Sequence, residues 1–277
     1  MLAQLKVRVT VVELLEDILS TFDADLRREL RRHMERTLGI RILTGATLEG
    51  ISADDRRVRG KAGREWLEGD WLLATLGRRP MTQELKLENV GLTTTKEGFI
   101  AVDEYGRTEV ATVYAVGDVT GGPQLAHAAT SQGVTAAENA CSRRLRRNEK
   151  YIPNCVFTSP EIASVGLSEE ESRQRGTAVK TGNSNLAALG KALAIGEPRG
   201  FVKWVADAET GQLLGAHAVG PHATELIAEA TVALRAELTF EEMCSTIHAH
   251  PTLAEAWLEA AYAVEGRPIH QIPSRRA

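Results

Sequence analysis

VRVTVVE, residues 7–13, is the stretch that decides the fold class. Its β-branched residues alternate, which predicts a strand that ends at Glu13. A charged amphipathic helix is predicted from Asp23 to Leu38, and Gly39 is suited to ending it. Short strands with turns are predicted to follow as far as Gly77. A strand–helix–strand order followed by a small meander indicates an α/β fold.

Glu13 is the first candidate site residue. An acidic side chain at the tip of the second strand of a doubly wound nucleotide fold binds the ribose hydroxyls of NAD and repels the 2′-phosphate of NADP. The glycine loop expected roughly 20 residues earlier has no room before this strand, so only half of the fingerprint is present. Taken alone, Glu13 is better explained as an ordinary surface residue at a strand end.

The segment from Pro80 to Asn148 is predicted to be rich in strands. TVYAVGD, residues 112–118, predicts a buried strand that places Gly117 and Asp118 at its C-terminal edge, where open α/β sheets bind cofactors. A helix of small residues is predicted next, from Leu125 to about Leu145. Its first amides suit an anion or an electron-rich ring edge. An ordinary strand, loop and helix with common turn residues fits the spacing equally well.

The last portion predicts an α+β layer. Residues 201–220 predict a hairpin, and two helices are expected after it, at about Ala223 to Ala236 and Phe240 to Thr246. Strands followed by helices form a layer that needs something to cover its open face.

HAHPTLAEAWLEAA, residues 248–261, holds the candidate chemistry. Pro251 disfavours the helical conformation in the residue ahead of it, so His250 is predicted to be extended at a helix entrance. One interpretation is a general base oriented by Glu255, because imidazole exchanges protons near neutral pH and a carboxylate fixes its tautomer. The other is a capping box, with Thr252 as the N-cap and Glu255 as its partner. Residue types alone slightly favour the capping box.

The composition is that of an ordinary globular protein. With 277 residues and 43% hydrophobic content, the chain can form two domains on the usual prior of roughly 100 to 200 residues each. The 33 basic and 37 acidic residues give a net charge of −4, which argues against a general polyanion binder, so no nucleic-acid partner is expected. The arginine clusters at 27–32 and 143–147 are interpreted as solvated helix faces.

Three scattered cysteines, Cys141, Cys155 and Cys244, argue against a disulfide framework, a paired-cysteine zinc site and a redox-active dithiol. We therefore expect no metal site, a reducing compartment and a cytoplasmic location. No apolar run approaches the roughly 20 residues that span a bilayer, and the start MLAQLKVRVT is no signal peptide. No membrane association is expected.

Five short patterns in a fixed order carry a family resemblance. They are VTVVE (9–13), GRRP (77–80), TVYAVGDV with LAHAA after it (112–129), PNCVFTSPEIASVGL (153–167) and HAHPTLAE (248–255). Together they resemble the flavin-dependent pyridine nucleotide-disulfide oxidoreductases, from Leu2 to about Ile269. Within that family, the doubled histidine of HAHP favours the members that oxidise dihydrolipoamide, since the mercuric reductases lack this histidine and end in a cysteine pair.

The resemblance implies an incomplete FAD- and NAD-linked reductase in three parts. They are a partial Rossmann-like NAD-binding domain in residues 1–78, the second half of an FAD-binding domain in 79–148 and an α+β dimerisation domain in 149–277. FAD and NAD are the implied cofactors. The implied cofactor-binding residues are Glu13 for NAD and, on the FAD side, Gly77, Gly117, Asp118, Leu125, Ala126 and His127.

The family also implies roles for the histidine and the assembly. His250 would be the acid/base for the dithiol substrate, with Glu255 holding it. It would act at the flavin of the other subunit, so a homodimer is expected whose partner chain covers the open face. The implied reaction is the reoxidation of dihydrolipoamide by NAD, through FAD and a redox disulfide. The expected partner is a lipoyl-bearing protein of a 2-oxo acid dehydrogenase complex.

Family members also have two glycine loops and a closely spaced cysteine pair, which are not in this sequence. We therefore expect the product of a truncated, split or partial gene, inactive alone, whose N-terminal half could be a separate chain. Two alternatives stay open. One is a non-catalytic dimerisation or docking module on the same fold, and the other is a related reductase with another dithiol substrate such as glutathione.

Overall fold

The computed structural model describes residues 1–272, which form two compact units. One unit combines Met1–Leu72 with the residues from Pro153 on, and the other is Leu73–Ile152. The helices are α1 (Ala24–Arg36), α2 (Ala126–Ala140), α3 (Glu169–Gln174), α4 (Gly190–Ala194), α5 (Ala223–Arg235), α6 (Phe240–Ser245) and α7 (Glu255–Val264). Within the described range, none of them combines the length and the apolar character that crossing a bilayer requires.

The strands all lie in the first unit. They are β1 (Thr10–Val12), β2 (Arg41–Leu43), β3 (Leu48–Ala53), β4 (Val58–Ala62), β5 (Glu65–Gly69), β6 (Asn154–Val156), β7 (Glu161–Gly166), β8 (Val179–Asn185), β9 (Phe201–Asp207) and β10 (Leu213–Gly220).

The opening of the chain has the predicted strand–helix–strand order. β1 and β2 pair in parallel, and α1 connects them. Asp23 caps α1 by accepting a hydrogen bond from the Asp25 amide at 3.0 Å, and Gly39 follows the helix with a left-handed φ of 64°. β3, β4 and β5 form the expected antiparallel meander. The α/β prediction for this segment is confirmed.

The C-terminal part is an antiparallel sheet covered on both faces. Its strand order is β6-β7-β10-β9-β8, and the predicted hairpin is the β9–β10 pair. On one face, Leu26 and Leu30 of α1 pack against Ile162 and Val219. On the other face, Trp204 of β9 packs against Trp257 of α7. The predicted α+β layer is therefore present, and α1 covers part of the face that the sequence left open.

α7 is seated tightly on this sheet. The rings of Trp204 and Trp257 lie 4.6 Å apart, and Trp204 Nε1 donates to the Trp257 carbonyl at 2.9 Å. Trp257 Nε1 in turn donates to the Leu226 carbonyl of α5 at 3.0 Å. At Gly182 of β8, a Cβ would lie 2.1 Å from the carbonyl oxygen of Ala260, so only glycine allows this backbone contact. The helix that follows HAHP is thus held in place by close contacts with the sheet and with α5.

The strand-rich prediction for residues 80–148 was wrong. This stretch contains α2, short 3-10 turns and, among the described residues, a single isolated bridge, Arg107 with Tyr114. Val116 is extended, with φ −141° and ψ 157°, as TVYAVGD predicts. Extended backbone becomes a strand only when a neighbour completes its hydrogen-bond ladder, and local alternation does not reveal that neighbour. α2 also ends at Ala140, short of the predicted Leu145.

Candidate functional site

His250 and Glu255 meet at the entrance of α7. His250 Nδ1 lies 2.8 Å from Glu255 Oε1, and Glu255 Oε2 accepts the Thr252 amide at 2.8 Å. The histidine side chain is 72% exposed, whereas the glutamate is only 13% exposed. The carboxylate therefore holds one ring nitrogen and leaves Nε2 available to exchange a proton.

The surroundings of Glu255 keep it ionised. Burial alone raises the pKa of this carboxyl, but the hydrogen bonds from Thr252 and His250 and the nearby ring of His270 outweigh burial. The net result is a pKa below the usual value for glutamate. An ionised Glu255 can orient the imidazole and stabilise its protonated form.

The prediction that Thr252 is the N-cap was wrong. α7 begins at Glu255 with Ala254 as its N-cap, and the Thr252 hydroxyl donates to the Ala249 carbonyl at 2.7 Å. Only half of the capping box exists, the bond from the Thr252 amide to the Glu255 carboxylate. The other carboxylate oxygen is bonded to His250 instead. The carboxylate thus faces the imidazole as the acid/base interpretation expected.

Glu13 stands at the C-terminal end of β1. Its amide donates to the Leu43 carbonyl at 2.8 Å, which extends the pairing with β2 by one residue. Its half-buried carboxylate accepts the Leu15 amide at 2.9 Å. A carboxylate has further lone pairs beyond the one used here, so the position fits ribose hydroxyls.

Gly117 and Asp118 begin a 3-10 turn that packs on α2. Gly117 has φ 75°, and a Cβ there would lie 3.2 Å from the Cβ of Ala129. The Arg78 guanidinium lies 3.1 Å from Asp118 Oδ2 and also donates to the Gln124 carbonyl. The Asp118 side chain is 44% exposed, so it can reach a ligand's hydroxyl groups. The structure thus brings together a carboxylate and a guanidinium beside a tight turn.

The start of α2 adds amide donors to this unit. α2 begins at Ala126 after Leu125, and no side chain caps its first turn. Ala126 and His127 are exposed, and Leu125 is half-buried. Gly77, with φ 96°, is exposed and directly precedes Arg78. An uncapped helix start with a nearby carboxylate suits a ligand with hydroxyls and an electron-rich ring, and FAD is such a ligand.

Gln132 is a supporting residue that the sequence analysis missed. Its buried side chain accepts the Gly117 amide at 2.7 Å through Oε1 and donates to Glu149 Oε1 at 2.6 Å through Nε2. Arg147 also binds Glu149. This network fixes the turn at Gly117. The sequence shows Gln132 as a polar residue in a helix of small residues. Whether its side chain faces the core is not evident without the fold.

The structure describes all three cysteines, Cys141, Cys155 and Cys244. All three thiols are free. Burial raises the pKa of Cys155 and of Cys244, so neither thiol is an activated nucleophile. Within residues 1–272, no three or more His, Cys, Asp or Glu side chains could together hold a metal ion.

Known proteins resemble the chain along most of its length. The dihydrolipoyl dehydrogenase of Haloferax volcanii is 40% identical over 276 residues, and that of Bacillus subtilis is 39% identical over 277 residues. Each match covers 98% of this chain and 58% of the relative, so the chain spans less than two thirds of the length of these relatives.

Two solved structures have the same fold. LpdA from Mycobacterium tuberculosis has a TM-score of 0.87 at 31% identity, covering 94% of this chain and 57% of that one. The HOCl-induced flavoprotein disulfide reductase RclA from Escherichia coli has a TM-score of 0.87 at 27% identity, covering 94% of this chain and 60% of that one.

Two family models match successive parts of the sequence. Residues 1–133 match the model described as pyridine nucleotide-disulphide oxidoreductase. Residues 152–261 match the model described as the dimerisation domain of pyridine nucleotide-disulphide oxidoreductases. The chain, a mixed α/β protein with a sheet-rich C-terminal part, belongs to the pyridine nucleotide-disulphide oxidoreductase family.

Proposed function

We propose that this chain supplies the acid–base residue and the dimerisation surface of a dihydrolipoamide dehydrogenase. In that reaction, dihydrolipoamide loses two electrons and two protons to become lipoamide, and NAD⁺ becomes NADH with release of one proton. The observation that carries the proposal is the exposed His250 held by the shielded Glu255 at 2.8 Å. The relatives named dihydrolipoyl dehydrogenase support it.

The chemistry proposed for His250 is proton transfer at sulfur. Nε2 accepts the proton of a substrate thiol, and the resulting thiolate is the nucleophile for disulfide exchange. Glu255 keeps the ring oriented and stabilises the imidazolium. FAD, when bound, supplies the transfer of the electron pair to NAD. Asp118, Gly117 and the first amides of α2 would hold FAD, and Glu13 would hold the adenosine ribose of NAD.

The proposed assembly is a homodimer formed through residues 149–277, with 1–78 and 79–148 as the nucleotide-binding parts. The match to a dimerisation domain supports it. Phe157, Val232 and Ile247 of that part are 80%, 68% and 96% exposed, which is unusual for large apolar side chains unless they meet a partner. A lipoyl-bearing protein is the proposed substrate carrier, and the reducing cytoplasm is the proposed location.

The 277-residue chain is expected to be inactive alone. Dithiol oxidation through FAD needs a redox disulfide, and the three thiols here are free. The measurement is NADH formation by the purified chain with added FAD, dihydrolipoamide and NAD. Steady turnover would overturn this part of the proposal.

The acid/base role is tested in a chimera. The chain is joined to the part of the Bacillus subtilis relative that it does not cover, and turnover of dihydrolipoamide is measured. H250Q is expected to lower kcat by roughly 10²- to 10⁴-fold, the usual contribution of a general base. H222N is the control, because His222 is exposed and its φ of 56° is a conformation that asparagine also adopts.

The outcomes separate the alternatives. Full turnover in H250Q would contradict the acid/base role. A folded dimeric chimera without any turnover would favour a non-catalytic docking module. Preference for glutathione and NADP over dihydrolipoamide and NAD would favour a glutathione reductase-like enzyme.

A further inference from the structure

His248, the first histidine of HAHP, faces two hydrogen-bond acceptors. Its Nε2 lies 2.7 Å from Glu229 Oε1 of α5, and its Nδ1 lies 3.1 Å from the Thr246 carbonyl oxygen. Its side chain is 5% exposed, whereas that of Glu229 is 35% exposed. A carbonyl oxygen can only accept, and an ionised carboxylate can only accept, so each contact needs a hydrogen on the ring.

A neutral imidazole has one N–H and cannot satisfy both acceptors. The His248–Glu229 pair therefore holds one proton more than a neutral ring and an ionised carboxylate would hold together. The ring is the better place for it, because two donated hydrogen bonds and an adjacent negative charge all favour the imidazolium. The charged ring, which is shielded from solvent, and the carboxylate then form an ion pair.

This ion pair anchors the segment that presents His250. α6 ends at Ser245 and α7 begins at Glu255, and no regular structure holds the residues between them. Among residues 245–250, only His248 is turned into the protein, and its neighbours Ile247 and Ala249 are exposed. Glu229 belongs to α5, which the Trp257–Leu226 bond ties to α7. His248 thus connects the segment to α5, which is bonded to α7, the helix that begins at Glu255.

We propose that His248 is a positioning residue for His250, held as an imidazolium between Glu229 and Thr246. The proposal rests on the proposed function, in which His250 is the acid/base. It adds a role for the other histidine of the HAHP motif, and it assigns a site function to Glu229, which lies 21 residues earlier than His250 in the sequence.

The test uses the 277-residue chain with ¹⁵N-labelled histidine and reads the ring nitrogen signals by NMR near neutral pH. In the unaltered chain, both nitrogens of His248 are expected to be protonated, and His250 is expected to have its hydrogen on Nδ1. E229Q removes the charge but leaves an amide that can bond a neutral ring. We expect His248 to lose one ring hydrogen in this variant, and the His250 signals to shift toward a mixture of the two tautomers.

E225Q is the matched control, because it removes the same charge from an exposed position about one turn earlier on α5. It is expected to leave both sets of signals unchanged. H248Q, which cannot carry the charge, should change the His250 signals as E229Q does. Far-ultraviolet circular dichroism shows that each variant is folded.

A neutral, singly protonated His248 in the unaltered chain would overturn the proposal. Unchanged His250 signals in both folded variants would also overturn it. Neither result depends on turnover. Full activity of H250Q in the chimera would contradict the proposed function of His250. That result is separate from the NMR results that would overturn the role proposed for His248.

Discussion

At the scale of a single residue, Glu255 of the candidate site should also affect how the free energy of unfolding depends on pH. Its pKa in the folded protein lies below the usual 4.5, because hydrogen bonds to the ionised form outweigh burial. A carboxyl with a lowered folded pKa stabilises the protein fully above the unfolded value and loses that contribution as the pH falls through the folded value. The free-energy advantage of the unaltered chain over E255Q should therefore shrink as the pH falls below about 4.5.

Urea unfolding at a series of pH values measures this difference. E225Q serves as the comparison, since that glutamate is exposed on α5 and no hydrogen bond of its carboxylate is found among the described residues. An advantage over E255Q that stays constant far below the usual glutamate pKa would contradict the hydrogen-bonding explanation.

The charge of Lys203 should also contribute to the free energy of unfolding. Its Nζ lies 3.1 Å from Asp23, 2.9 Å from Asp25 and 2.8 Å from Glu169, and its side chain is 2% exposed. K203M leaves these carboxylates facing one another without a cation, which should cost about 3 to 5 kcal/mol in the free energy of unfolding. K180M, at an exposed position on β8, should change it by less than about 0.5 kcal/mol.

Denaturant unfolding of the two variants is the measurement. If the cost comes from unpaired charge, adding D25N to K203M should recover part of the loss, because the two positions share one network. A double variant that is less stable than K203M by the full cost of D25N alone would show that packing, not charge, explains the effect.

At the scale of structural elements, the turn at Gly117 depends on α2. In Q132A the part-buried Gly117 amide loses its acceptor, which costs about 1 to 3 kcal/mol. Hydrogen exchange at this amide should then be faster by roughly 5- to 150-fold, since each 1.4 kcal/mol is a factor of ten. T135A, at a half-buried position of α2, should leave that exchange rate unchanged, because the Thr135 hydroxyl bonds to the Ser131 carbonyl of the same helix.

Mass-spectrometric or NMR exchange on the 277-residue chain gives this result without any cofactor. In the chimera, Q132A should also release FAD more readily than T135A does. Equal exchange at Gly117 in both variants would mean that Gln132 does not hold the turn.

Elements with a strong local pattern could be predicted from the sequence. α1 and the β9–β10 hairpin have clear periodicity and end signals, and both form near the predicted bounds. The extended backbone at Val116 was also predicted, but its pairing was not, because a strand's partner is set by distant residues.

In the candidate site, too, a contact between residues close in sequence could be predicted, and contacts between distant residues could not. The pairing of His250 with Glu255 is local and was foreseen from five residues of spacing. The start of α7 was misplaced by two residues, since the carboxylate that could complete a capping box is bonded to the imidazole. Gln132 and Glu229 were missed because each acts on a residue far along the chain, through contacts that only the fold creates.

For the whole molecule, the decisive contact joins the two ends of the sequence. Phe22, Leu26 and Leu30 from the first 72 residues share a core with Ile162 and Val219 of the C-terminal sheet. Asp23 and Lys203 add an ion pair across the same boundary. No local pattern predicts this packing, since the amphipathic face of α1 is compatible with many partners. We infer that these two stretches of sequence unfold as one cooperative unit.

L30A tests that inference. Leu30 is fully buried, so truncation should lower the free energy of unfolding by about 2 to 5 kcal/mol through lost burial and the cavity left behind. If the unit is cooperative, amide exchange should accelerate equally in α1 and in β7 and β10, because all of them open together. L193A, at a 59% exposed position on α4, should leave these rates unchanged. Faster exchange confined to α1, with the sheet amides as slow as before, would show instead that the helix detaches from a sheet that is stable by itself.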